Sequence, residues 1–96
     1  MTGTSPPLDR ASAFYIAGML ALLQVQDVLS SRGKANSFLR QITEAGLAQV
    51  QYLGATANLT LHSISVWATG DDLQPLDLLR AWSDAAQRRL GAGLLL

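Results

Sequence analysis

Leu39-Arg-Gln-Ile-Thr-Glu-Ala-Gly-Leu-Ala-Gln-Val-Gln-Tyr-Leu-Gly-Ala-Thr-Ala-Asn-Leu-Thr-Leu-His-Ser-Ile-Ser-Val-Trp-Ala68 is the stretch on which the reading of the fold turns. Leu39, Ile42, Gly46, Val50, Leu53, Ala57, Leu61, Ile64 and Ala68 recur in it at spacings of 3, 4 and 4. An eleven-residue repeat corresponds to about 3.67 residues per turn, close to the α-helix's own period, so the pattern predicts one stripe along a nearly straight helix. Two bulky positions and one small one alternate along it, which would let a neighbouring helix approach closely at Gly46, Ala57 and Ala68. Between Glu44 and Asp71 there is no Asp, Glu, Lys or Arg. The off-stripe positions Gln49, Gln51, Thr56, Asn58, Thr60, Ser63, Ser65 and Thr69 are polar without charge, and Tyr52, Leu59 and Trp67 share that face, as on a helix wetted over part of its circumference.

Outward from this stretch, Met-Thr-Gly-Thr-Ser-Pro-Pro at residues 1–7 has no basic region and two prolines, and reads as a flexible lead-in. A first helix is expected over 8–31, with Leu8, Ala11, Tyr15, Met19, Leu22, Val25 and Leu29 at helical spacing and Asp9 at the positive end of the dipole. Its run Ala13–Leu23, which includes Phe14, is apolar on all sides but only 11 residues long, against about 20 for a membrane span. A helix surrounded by protein in an oligomer fits it better, with Ala13, Ala17 and Ala21 as a close-contact edge. Gly33 is a candidate cap and Asn36 or Ser37 a candidate restart for the central helix, expected over 36–69. After Gly70-Asp71-Asp72, Pro75 and Asp77 open a last helix over 75–90, with Leu76, Leu79, Trp82 or Ser83, Ala86 and Leu90 inward. The apolar tail 92–96 is too short for an anchor. The sequence therefore predicts an all-α domain over 8–91, a three-helix antiparallel bundle with one long central helix, oligomeric through the 39–68 stripe and through Phe14, Tyr15, Met19, Leu22, Trp67 and Trp82.

Ninety-six residues make one small domain with a thin core, burying about 60–65% of the unfolded chain's surface. Seven basic side chains balance seven acidic ones, and Arg88-Arg89 is the only basic pair, which gives nucleic acid nothing to bind. Charged residues are 15% of the chain and apolar ones 49%, a balance that favours self-association or an apolar surface. With no cysteine, thiol chemistry is excluded and a reducing, cytoplasmic setting is permitted.

Chemistry has few carriers. His62 is the only histidine, with no acid within 8 residues, and suits a flank or an interface better than a metal site or a catalytic pair with Ser63 or Ser65. Gly91-Ala-Gly93 is no phosphate cradle, and Asp71, Asp72 and Asp77 are explained by helix capping without a cation. No cofactor and no catalytic residue is expected.

Phe38-Leu-Arg-Gln-Ile-Thr-Glu-Ala-Gly-Leu-Ala-Gln-Val-Gln-Tyr-Leu-Gly-Ala-Thr-Ala-Asn-Leu59, a helix candidate nearly free of charge, is followed by a polar break and by Asp72-Leu-Gln-Pro-Leu-Asp-Leu-Leu-Arg-Ala-Trp82. This order of parts, over residues 36–90, resembles phasins, the small helical proteins that coat bacterial polyhydroxyalkanoate granules. The resemblance implies a non-catalytic, oligomeric protein without a cofactor that binds an apolar polymer surface or a protein partner. Two other readings stand beside it: a structural adaptor of a bacterial assembly, and a small-molecule or enzymatic bundle with a pocket at His62, Tyr52 and Trp67.

Overall fold

The computed structural model describes residues 8–94. In chain order it has α1 (Arg10–Val25), a 3-10 turn (Val28–Ser30), α2 (Arg32–Glu44), the strands β1 (Ala48–Leu53), β2 (Thr56–Leu61) and β3 (Ile64–Thr69), and α3 (Pro75–Leu94). The expectation of an all-α bundle is thus corrected to an α+β fold, in which the strands form one antiparallel sheet of order β1-β2-β3. The long central helix does not form; it stops at Glu44, and the rest of 36–69 is sheet.

The physical reason lies in the residues themselves. Ala48, Val50 and Tyr52, then Ala57, Leu59 and Leu61, then Ile64, Val66 and Ala68 alternate with Gln, Asn, Thr, Ser and Trp, which is the two-residue period of a half-buried strand. Val50, Ala57, Leu61, Ile64 and Ala68 satisfy both this period and the eleven-residue one, so the helical stripe reads through the sheet. Composition helps to separate the two: the strands carry the β-branched or aromatic residues Val50, Tyr52, Thr56, Thr60, Ile64, Val66, Trp67 and Thr69, while the Lys, Glu and Arg that support a solvated helix are missing. Its glycines are turn residues rather than points of helix contact. Gly46 has φ +78° between α2 and β1, and Gly54 has φ +62° in the β1–β2 turn. The pairs Leu53↔Thr56 and Leu61↔Ile64 close two-residue hairpins; in the second, His62 and Ser63 both take the left-handed conformation of a type I′ turn.

The helices start and stop on local chemistry. Asp9 caps α1 by accepting from the Ser12 N–H at 2.6 Å, a bond that holds its carboxyl below the usual carboxylate range. The chain leaves α1 through Asp27 in the left-handed region, and Ser31 caps α2 by accepting from the Lys34 N–H at 3.2 Å. The break expected after the first helix is present, but Gly33, Asn36 and Ser37 all lie inside α2. The turn is tied by Lys34 Nζ to Asp27 Oδ2 at 3.3 Å, and Ser30 and Lys34 keep the Asp27 carboxyl below its ordinary value.

α3 occupies the middle of the molecule. It packs on β2 and β3 with one side and on α1 with another, while α2 fills the space between α3 and β1. Leu78, Leu79, Trp82 and Ala86 are accordingly fully buried, and the Trp82 indole N–H donates to the Leu61 carbonyl at 2.9 Å. Ile16, Met19 and Leu23 bury one side of α1, and Ala35, Phe38, Leu39 and Ile42 one side of α2. The 1–7 lead-in and the last two residues of the 92–96 tail lie outside the described residues; residues 92–94 continue α3.

Candidate interaction surface

The residues expected to mediate association divide sharply between core and surface. Leu39, Ile42, Ala57, Leu61, Ile64, Met19 and Trp82 are buried in the chain's own core, with Val50 and Ala68 half-buried beside them. Gly46 is an exposed turn residue, and Leu53 is exposed at the end of β1. What remains on the outside is Phe14, Tyr15 and Leu22 on α1 and Trp67 on β3.

Two surfaces follow from this division. The first is the outward face of α1, where Phe14 is 75% and Val25 83% exposed and no charged residue occurs between Arg10 and Asp27. A large apolar side chain left this open on a charge-free helix face is the usual mark of a covered surface. Val25, the most exposed of all, belonged to the helical pattern but not to the expected contact set. Its signal was that the uncharged run continues past Leu23 to Gln26. Tyr15 lies at the rim, where its ring stacks on His62 with centroids 5.9 Å apart and planes 16° from parallel, so α1 meets the β2–β3 turn at that corner.

The second surface is the outer face of the sheet. Strand register places Gln49, Thr60 and Ser65 in one row, Gln51, Asn58 and Trp67 in the next, and Leu53, Thr56 and Thr69 in the third. None is charged. Asn58 is the buried centre of this face: its amide donates to Ser65 Oγ at 2.7 Å and to the Val66 carbonyl at 2.9 Å, and its carbonyl oxygen accepts from Thr60 Oγ1 at 3.2 Å. Among the described residues, the β1 and β3 edges of the sheet pair with no further strand. Because the pair that closes a two-residue hairpin exchanges its hydrogen bonds, alternate pairs do so along each ladder. The backbone groups of Ala48, Val50 and Tyr52 on β1, and of Ser65, Trp67 and Thr69 on β3, therefore point away from β2.

The pocket imagined at His62, Tyr52 and Trp67 does not assemble. His62 sits at the β2–β3 turn, Tyr52 near the opposite end of the sheet, and Trp67 on the other face from Tyr52. A cleft of about 550 Å³ lies instead between α1 and α3, with Leu20, Leu23 and Leu90 as its apolar wall and Gln24, Asp27 and Gln87 among its polar groups. Among the described residues no group of three His, Cys, Asp or Glu side chains is placed to hold a metal ion, and no helix is long and apolar enough to cross a membrane. Comparison with protein-family models, with curated proteins and with solved structures gives no match, so these surfaces are read from their own chemistry.

Proposed function

We propose that this protein acts by association and not by catalysis, as a self-associating adaptor that contacts a second copy through α1 and leaves its uncharged sheet face for a protein partner. The observation that carries the reading is the outward face of α1, with Phe14 and Val25 at least three-quarters exposed and no charge along sixteen helical residues except Arg10 at its start. Covering that face involves no ion desolvation, and the amides and hydroxyls of the sheet face adapt to a protein surface without leaving a charge unpaired. A cytoplasmic setting fits the cysteine-free sequence.

Light scattering at micromolar concentration tests the reading: the chain should run at a multiple of its 10.2 kDa mass, and Phe14→Glu should reduce it to a single chain with its helix content unchanged. A wild-type monomer overturns it. A polyester-granule surface, the partner implied by the phasin resemblance, is the other candidate occupant of this α1 face. If a monomeric wild-type chain co-sediments with polyhydroxyalkanoate particles and Phe14→Glu does not, the face serves a polymer and not a copy of itself.

A further inference from the structure

α1 is attached to the rest of the molecule differently from the other helices. α2 packs on β1, on α3 and on the 3-10 turn, and α3 packs on β2 and β3, whereas among the described residues α1 packs on α3 and the 3-10 turn alone and reaches neither α2 nor a strand. At the β2–β3 turn the Tyr15 ring adds its stack on His62, with centroids 5.9 Å apart. The packing on α3 is itself incomplete. Ile16, Met19 and Leu23 are buried, but the cleft of about 550 Å³ separates Leu20 and Gln24 of α1 from Ser83, Gln87 and Leu90 of α3. The joint that follows is short and lies against a fixed point. α1 ends at Val25, Gln26 and Asp27 come next, and Asp27 takes the left-handed conformation at φ 54°. From Val28 onward the chain is held: Val28 is buried, the Leu29 carbonyl accepts from the Arg80 guanidinium at 3.2 Å, and Lys34 of α2 pairs with the Asp27 carboxylate at 3.3 Å.

From this arrangement we propose that α1 is a hinged lid, which lifts from α3 as one unit about Gln26–Asp27 while the body of α2, sheet and α3 stays folded beneath it. A few residues at the end of an element, next to an anchored segment, are where such motions turn. The Tyr15–His62 stack is the latch. Tyr15 stands twelve residues from Asp27, roughly 18 Å along the helix, so the latch holds the lid far from its hinge. Lifting α1 gives up the burial of Ile16, Met19 and Leu23 and one ring stack. Undocking any other element breaks a strand ladder or opens the core around Leu78, Leu79 and Trp82, so α1 opens at a lower free energy than the whole molecule unfolds. The motion goes beyond the association proposed above, since it concerns the inward side of α1, and it uncovers the apolar wall of the cleft.

Amide hydrogen exchange of the full chain in urea below its unfolding transition tests this. A lifted helix of 16 residues is marginal by itself in water, so the α1 amides exchange whenever the lid opens. Those from Phe14 to Val25 should exchange together, at least about tenfold faster than the slowest amides of β2 and α3 and with a weaker dependence on urea, because less surface is exposed. Tyr15→Ala should speed the α1 amides by a further two- to tenfold or so, the worth of about one aromatic pair, and leave those of β2 unchanged. Wild-type α1 amides as slow as those of β2, with the same urea dependence, would mean that α1 opens only with the whole molecule and would overturn the proposal. A Tyr15→Ala chain in which α1 and β2 speed up alike overturns it as well, and one in which α1 exchanges at the wild-type rate removes the latch and with it the lid as proposed.

Discussion

Ser63 holds a φ of 68° and His62 one of 50°, in a turn that asks both residues for the left-handed region. An L side chain there costs roughly 1–2 kcal/mol, and glycine nothing comparable. Ser63 is exposed at the turn. Ser63→Gly is therefore expected to stabilise the fold, by up to about 1 kcal/mol once the extra freedom of the unfolded glycine is set against it, and urea unfolding would register this as a higher midpoint at an unchanged slope. His62 is tied differently, because its ring also stacks on Tyr15. At Asp9 the chemistry is a charge. The Ser12 N–H lowers its carboxyl below 3.8, so the stability it brings is complete above the unfolded value and disappears as pH falls through the lower folded value. Asp9→Ala should accordingly lower the melting temperature at pH 7, with the gap from wild type closing in solutions well below pH 3.8. A gap that persists there would mean the side chain acts through something other than its charge.

At the scale of elements, the sequence was legible wherever one period alone explained it. α1 was visible in its apolar run, α3 in Pro75 and the leucines beyond it, and the break between sheet and α3 in Gly70-Asp71-Asp72. The sheet was not, because positions 50, 57, 61, 64 and 68 belong equally to an eleven-residue helical repeat and to three short alternating runs. The signals that separate them were present. Gly54-Ala55 and His62-Ser63 each interrupt the alternation by two residues, the length of a tight hairpin, and a helix without one Lys, Glu or Arg from Ala45 to Thr69 would be poorly solvated. Of the residues expected to mediate association, Phe14, Tyr15 and Leu22 on α1 are exposed, whereas most of the stripe is taken up by the chain's own core and only Gly46 and Leu53 stay outside. The strands carry their own liability, since the edges of β1 and β3 have neither lysine nor proline to discourage another strand. Gln51→Lys, on the exposed outer face of β1, should leave the melting temperature nearly unchanged and slow aggregation on heating, followed by turbidity; equal rates would show that the β1 edge is not where chains meet.

In the molecule as a whole, α3 is the element that joins the layers. The sheet is built from neighbours in sequence and α2 reaches it directly, whereas α1, apart from the 3-10 turn that follows it and the Tyr15–His62 stack at the β2–β3 turn, packs on α3. The first helix to be made thus packs on the last. During synthesis, at about 5–20 residues per second, α1 leaves the ribosome several seconds before the surface that will cover Ile16, Met19 and Leu23 exists. For that interval the nascent chain carries an apolar helix whose inner face α3 does not yet cover, and a chain halted before Pro75 keeps that face open, so the emerging chain is expected to need chaperones that hold apolar segments and its truncated products to be degraded rapidly.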